Sequence, residues 1–479
     1  MRTFELLIAV TELAYLLWLS FGSGLPASRF RWLPFVAAGL LLVHLFAEGA
    51  RWQLAPLYLL VILTLAAYPL CQTRSFRLRL RHMCIGWAVA GILLGTTLVT
   101  GGVLWPVFEF VPLTGPYKVG TMSEYLVDPG RRDPYAPGKP VDRELMVQLW
   151  YPAQTTNGFR RARYRNGRQS GWRDANLALV QTRSFVDAPL AQRQRQYPVL
   201  LFSGPFNRFQ NTFETEEMAS HGFIVVGIDH TYDGDLVVLP DGRRISGSKG
   251  SCLLDFTSAR ALALSRPKVE RRLAVRVADT LYVLDRLNGW NEAYGNTFFG
   301  RLDLSDVGMF GHSFGGAVAA EVCRVDPRVR AGVNMDGSIF GSAKRDGVPK
   351  PFLTFFTSAR PAPSDLAVLN EPRRRENLEL AADYAAVDRS LNRYGGYFLQ
   401  VPGMEHMNFS DYSLYSQVRA WTDSGPISAR KGHEAVNRIT LAFFQHELLH
   451  DHAASVEAAV HDVPGTLLRR QTGTLPLAQ

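Results

Sequence analysis

Residues 306–316 read DVGMFGHSFGG, and this stretch decides the fold. An apolar run of strand character, Val307 to Phe310, leads straight into Gly311-His312-Ser313-Phe314-Gly315, and an alanine-rich helical segment with Ala317, Ala319 and Ala320 follows. Gly-x-Ser-x-Gly between a strand and a helix is the pattern of a sharp turn that holds a serine in a strained backbone conformation. Small residues two positions to either side let strand and helix approach closely. The serine then lies at a helix N-terminus, where backbone N–H groups can stabilise an oxyanion. Ser313 is the candidate nucleophile, and the N–H of Phe314 is a candidate oxyanion donor.

Working outward, short β-rich runs alternate with helical ones. Glu144 to Tyr151 alternates like a half-buried strand, while Tyr197 to Ser203 and Gly222 to Asp229 are continuous apolar runs expected of central parallel strands. Val269 to Leu287 carries apolar residues at helical spacing. Val329 to Met335, Phe352 to Thr357 and Tyr397 to Val401 are further strands. This alternation predicts an α/β fold, a mostly parallel sheet flanked by helices, with its ligand site at the carboxyl ends of the strands.

A serine hydroxyl needs a base, and the base needs an orienting carboxylate. His406 follows the last strand candidate directly and is the expected base. His433, His446, His450, His452 and His461 lie in helical or tail sequence, and His312 should point away from its neighbour. Asp336 and Asp365 each follow a strand and compete for the acid, whereas Asp411 reads as a cap. The second oxyanion donor should come from Ser203-Gly204-Pro205-Phe206. Pro205 has no N–H, which leaves Phe206.

The first 110 residues are of another kind. Apolar stretches run over about 4–21, 33–47, 52–70 and 83–105, and a bilayer-spanning helix needs about 20 such residues. We expect a membrane region of about four transmembrane helices over 1–110, a catalytic domain over 111–455, and a loosely packed tail over 456–479. Pro112, Pro116, Pro129, Pro134, Pro137 and Pro140 make the start of the second region read as a linker. Glu5 and Glu12 should face a helix–helix interface or the headgroup zone. Arg29, Arg31, Arg74, Arg77, Arg79 and Arg81 fall in alternate loops, against Arg2 and Arg51 on the other side. By the positive-inside rule the catalytic domain would lie on the extracytoplasmic side.

Other classes fit less well. The net charge of +9 is modest for 479 residues and is spread out, which argues against nucleic acid. Cys71, Cys84, Cys252 and Cys323 show no CxxC spacing, so no cysteine metal site is expected; only a Cys252–Cys323 bridge is conceivable. His446-Glu447-Leu448-Leu449-His450 is a literal HExxH, the zinc-protease pattern. It falls near the end of a helix expected to run about 20 Å away from the active-site face. No metal or other cofactor is expected. A hydrolase-like scaffold without turnover is the reading from another class.

Five segments together resemble one family: Gly115-Pro116-Tyr117-Lys118-Val119-Gly120-Thr121, Leu149-Trp150-Tyr151-Pro152, Ser220-His221-Gly222-Phe223-Ile224-Val225, the GHSFGG of residues 311–316, and His406-Met407-Asn408-Phe409-Ser410-Asp411. They are similar to the platelet-activating factor acetylhydrolases of the plasma, lipoprotein-associated phospholipase A2 type and their bacterial relatives, which have the α/β-hydrolase fold. The resemblance spans roughly residues 114–450 and not the N-terminal helices. It implies a Ser313–His406–Asp336 triad, with the acid after the strand that follows the nucleophile helix, and so favours Asp336 over Asp365. It also implies metal-independent hydrolysis of a short or oxidised sn-2 acyl ester of a phospholipid. A general carboxylesterase acting on small or polymeric esters is the nearest alternative. The family's Ser-His-Gly loop is replaced here by Ser203-Gly204-Pro205, although alignment still lands on Phe206 as oxyanion donor.

Overall fold

The computed structural model describes residues 1–21, 30–71, 80–138, 140–165, 171–172, 174–247, 253–475 and 477. The chain forms two compact units.

The first unit comprises Met1–Glu109 together with Arg163–Gln181 and Leu414–Thr422. Its helices are Thr3–Phe21, Leu33–Ala47, Ala55–Cys71 and Leu80–Thr97, the last continuing as a π-helix over Leu98–Leu104. Three helical stretches, Thr3–Phe21, Trp52–Pro69 and Cys84–Leu104, are long and apolar enough to cross a membrane, and Leu33–Ala47 is shorter. Ile8, Ala37, Leu57 and Val61 form the shared core. Glu5 and Glu12 point inward: Arg51 donates to both oxygens of Glu5 at 2.7 and 3.0 Å, and Thr64 donates to Glu12 at 3.1 Å. Pairing of this kind allows acids to sit on helices that are otherwise apolar. Arg29, Arg74, Arg77 and Arg79, on which the expected orientation rests, lie outside the described residues.

The second unit holds the sheet. Its strands are β1 (Lys118–Arg132), β2 (Asp142–Ala153), β3 (Arg161–Arg163), β4 (Gln181–Val186), β5 (Tyr197–Ser203), β6 (Ile224–His230), β7 (Val237–Val238), β8 (Arg244–Ile245), β9 (Leu302–His312), β10 (Val329–Met335), β11 (Phe352–Phe355), β12 (Gly395–Gln400) and β13 (Leu467–Thr472). Eleven of them pair in the order β13-β12-β11-β10-β9-β5-β6-β2-β1-β4-β3, and β7 with β8 forms a small separate ribbon. From β6 to β12 all neighbours are parallel. The antiparallel pairs β1–β2, β2–β6 and β12–β13 close the two sides. The chain steps from β5 to β6 on one side and then to β9 on the other. The order therefore reverses between β5 and β9, where a parallel sheet opens a crevice at its carboxyl edge. The central strands are buried along their whole length, as their unbroken apolar runs require.

Two segments differ from the sequence expectation. The proline-punctuated start of the domain contains a strand, β1, hairpinned on β2 over most of its length. Pro129 is tolerated because it falls where the register breaks, between Asp128 and Arg132. The expected loose tail instead contributes a helix, Val456–His461, and then β13 at the sheet edge. Its arginines anchor it: Arg469 to Asp388 and Arg470 to Glu457, both at 2.8 Å. Cys323 is buried and carries a free thiol, while Cys252 lies outside the described residues.

Removing residues 466–479 should strip β13, expose the β12 edge and lower the melting midpoint by about 1–2 °C per kcal/mol lost, from the per-residue unfolding entropy of a unit this large. An unchanged midpoint in a thermal scan would show that β13 contributes nothing.

Candidate active site

The site begins with a steric demand. A Cβ on Gly315 would lie 1.8 Å from the Ser203 carbonyl oxygen, and one on Gly311 would lie 2.1 Å from the Gly315 carbonyl oxygen. Only hydrogen fits at either place, so β9 can turn abruptly into the helix Phe314–Val325. Ser313 occupies the corner with φ 55° and ψ −124°, a region costly for any side chain, and its N–H is tied to Met335 O at 2.8 Å. The next N–H, that of Phe314, opens the helix and has no intrahelical acceptor. The Phe314 ring is fixed from the side by the Arg272 guanidinium, 4.2 Å from its centroid.

Asp336 follows β10 and also has a positive φ, 55°. Its N–H donates to Phe355 O at 2.9 Å. Its carboxylate accepts from Thr357 N–H (2.7 Å), Thr357 Oγ (2.9 Å) and His406 Nδ1 (2.7 Å). Burial alone would raise the carboxyl pKa, but these donors, His406 foremost, hold it below the ordinary range. His406 shows the opposite balance: burial favours the neutral ring, and Asp336 overrides it and moves its pKa above 6.5. Since Nδ1 donates to Asp336, Nε2 is the nitrogen left to take a proton. Ser313, Asp336 and His406 line one cavity of about 460 Å³.

His312 points away from the serine side chain. It is fully buried, and burial together with the nearby His406 lowers its pKa to about 3. It stays neutral. Its Nε2–H donates to His406 O at 2.9 Å, so its Nδ1 must accept from Gln210 Nε2 at 3.1 Å. The residue beside Ser313 therefore holds the backbone of His406.

The other sequence candidates lie elsewhere. Asp365 is exposed and caps its own short helix, accepting from Ala362 N–H at 3.2 Å. Asp411 caps the helix Thr212–Ser220 through the N–H groups of Thr212 and Phe213. The HExxH segment is not a single helix face: the helix Ala429–Leu448 ends before His450, which is exposed at φ 54°. His446 Nδ1 instead contacts Ala454 O at 3.1 Å.

Phe206 is held differently from expectation. Its N–H donates to Gln210 Oε1 at 3.0 Å. The reason lies in the preceding carbonyls. Arg276, itself paired with Asp233 at 2.6 Å, donates to Gly204 O at 2.7 Å and Pro205 O at 3.1 Å. The Pro205–Phe206 peptide is trans, so fixing Pro205 O turns the Phe206 N–H to the opposite side, toward the buried Gln210 amide. An incoming oxygen would have to displace that amide.

A second Ser–His–Asp arrangement lies within the same sheet. Ser203 Oγ is 3.1 Å from His230 Nε2, and His230 Nδ1 is 2.9 Å from Asp279. Ser203 is inaccessible, and Arg143 (2.6 Å) and Arg131 (3.0 Å) neutralise Asp279. Burial and then the Arg276 charge depress His230 to about pKa 4, so it is a poor proton acceptor. This group ties the end of β5 to the helix Ala259–Glu292 as scaffold. Thr357, Gln210 and Arg276 had escaped sequence reasoning. No motif marks them, and only the end of β11 hinted at Thr357.

Comparison with known proteins points to carboxylic ester hydrolases. Residues 285–462 match the family model described as platelet-activating factor acetylhydrolase, isoform II. A probable 1-alkyl-2-acetylglycerophosphocholine esterase from Arthroderma benhamiae is 27% identical over 268 residues, covering 50% of this chain and 63% of that protein. A platelet-activating factor acetylhydrolase from Cavia porcellus is 22% identical over 357 residues, covering 69% and 76%. The chain is thus similar to the platelet-activating factor acetylhydrolases over these stretches. Its α/β-hydrolase architecture is shared with a ferulic acid esterase from Streptomyces cinnamoneus, at TM-score 0.56 and 28% identity, over 76% of this chain and 99% of that one. Against the fungal relative, the match spans under two thirds of that protein's length.

Two outcomes follow. A fluorophosphonate probe should label the wild type and Ser203→Ala but not Ser313→Ala; labelling lost only in Ser203→Ala would reverse the assignment. Asp279→Ala, which leaves buried Arg143 with Asp133 as its remaining carboxylate partner, should destabilise the fold in denaturant unfolding by less than the about 3–5 kcal/mol of a fully unpaired buried charge; an unchanged midpoint would show that the Asp279 contacts contribute nothing.

Proposed function

We propose that this chain is a serine carboxylic ester hydrolase. His406 Nε2 takes the Ser313 proton, Ser313 Oγ attacks the ester carbonyl, and Asp336 stabilises the imidazolium. The alcohol leaves with the proton from His406, and water then cleaves the acyl-enzyme by the same steps in reverse order. The Phe314 N–H stabilises the oxyanion, joined by that of Phe206 once the Gln210 amide gives way. The observation that carries this reading is the 2.7 Å His406–Asp336 pair opening into the cavity that also receives Ser313.

The cavity supports a substrate class. Its lining includes apolar Leu254, Phe314, Phe340 and Phe356. It also includes Lys344, bonded to Glu379 at 3.2 Å and Asp383 at 2.8 Å. An ester with a short apolar acyl group and a charged remainder suits this mixed lining. With the relatives named above, this favours a short or oxidised sn-2 acyl ester of a phospholipid. The ferulic acid esterase likeness supports the second reading, a carboxylesterase of broader range. We further propose that the apolar N-terminal helices cross a membrane and that the catalytic domain lies on its extracytoplasmic side, where an amphiphilic substrate is at hand.

Release of p-nitrophenol from acetate, butyrate and octanoate esters, beside hydrolysis of a short-chain sn-2 phospholipid, tests the proposal. Activity should survive chelator and vanish in Ser313→Ala; activity that persists in Ser313→Ala would overturn it. The kcat/KM profile should rise with pH, because only neutral His406 accepts the proton, with a midpoint above 6.5. In Asp336→Asn the midpoint should fall, and kcat should drop by about 10⁴-fold.

A further inference from the structure

One end of the first unit gathers large aromatic rings from distant parts of the chain. Trp52 opens the apolar stretch Trp52–Pro69, and Trp105 directly follows the stretch Cys84–Leu104. Their ring centroids lie 5.3 Å apart. Trp172 packs on Trp52 at 5.4 Å, and Trp421 on Trp105 at 6.0 Å. Trp172 and Trp421 come from the segments Arg163–Gln181 and Leu414–Thr422, which fold with the N-terminal helices as one compact unit. Both are largely exposed, 69% and 60%. Four indoles packed in sequence at a surface are unusual for a water-facing patch.

Polar contacts fix the depth of this end. The carbonyls at the end of an apolar helix lack intrahelical donors, and in hydrocarbon nothing else would serve them. Here Gln417 donates its N–H to Val103 O at 2.9 Å and its Nε2 to Gly102 O at 3.1 Å. Asn176 donates to Pro106 O at 2.9 Å, and Arg51 to Trp105 O at 2.9 Å. Polar side chains thus begin where the apolar stretches stop, at the same level as the indoles. Below this level the helices expose Leu59, Ile62, Ile92 and Val99. An apolar barrel side, an indole layer and then arginine and amide groups is the order of a bilayer boundary.

We propose that Trp52, Trp105, Trp172 and Trp421 form an anchor in the headgroup layer of a phospholipid bilayer, so that segments 163–181 and 414–422 are interfacial elements. This rests on the reading that the N-terminal helices cross a bilayer. The full chain would be reconstituted in phosphatidylcholine vesicles whose acyl chains are brominated either near the headgroup or near the methyl end. Tryptophan emission would be compared between wild type and the Trp172→Phe/Trp421→Phe variant, which keeps rings in place. The emission lost in the variant should be quenched more by the shallow bromines than by the deep ones. No quenching of that component, or deeper quenching, overturns the anchor. The remaining tryptophans test the underlying reading separately: Trp18, Trp32 and Trp87 belong to the apolar N-terminal region, and if no emission is quenched by either lipid, the membrane reading itself fails.

Discussion

The architecture of the site depends on one contact between backbones, the meeting of Gly315 with the Ser203 carbonyl. It brings the end of β5 against the start of the helix after β9, across the point where strand order reverses. The Ser313 corner and the loop bearing Phe206 are neighbours for this reason and because β5 pairs with β9, Ser203 opposite Gly311. The strain at Ser313 is tolerable because parallel strands on both sides hold the corner. Around it, the same few groups serve twice: Met335 O fixes the serine N–H, and the residue after it is the acid.

Buried charge supports the loop that steric fit brings close. Arg276 gathers Asp233 with the carbonyls of Gly204 and Pro205, and Arg143 joins Asp133 to Asp279. Such groups add little net stability over apolar packing, but they fix direction, because a guanidinium accepts few geometries. This loop reads Ser203-Gly204-Pro205-Phe206, without the histidine of the Ser-His-Gly text it was compared with, and here a guanidinium from another helix sets its path.

Much of this was legible in the sequence. The runs at Tyr197–Ser203 and Val329–Met335 appear as strands with the same bounds, because strands buried on both faces need unbroken apolar residues. Ser313 and His406 were legible because each stands at the end of such a run. The choice between Asp336 and Asp365 was not, since both follow strands, and only the resemblance separated them. β1 was hidden by its prolines, whose placement at a register break is a property of the pair and not of either strand. β13 was hidden because an edge strand needs no apolar pattern: Leu-Leu-Arg-Arg-Gln-Thr does not alternate, and its residues are half-buried or exposed. Gln210 and Arg276 were hidden because the contacts that shape the loop, to Phe206 N–H and to the Gly204 and Pro205 carbonyls, are to main-chain atoms, which every sequence has.

The buried Ser203–His230–Asp279 group carries a wider consequence. Its connectivity is that of a working triad, yet an arginine already occupies its acid and no water reaches its serine. A search by side-chain geometry alone would return this buried set. What distinguishes the proposed Ser313 site from it is dielectric environment and approach path, because Ser313 lines a cavity and Ser203 is buried.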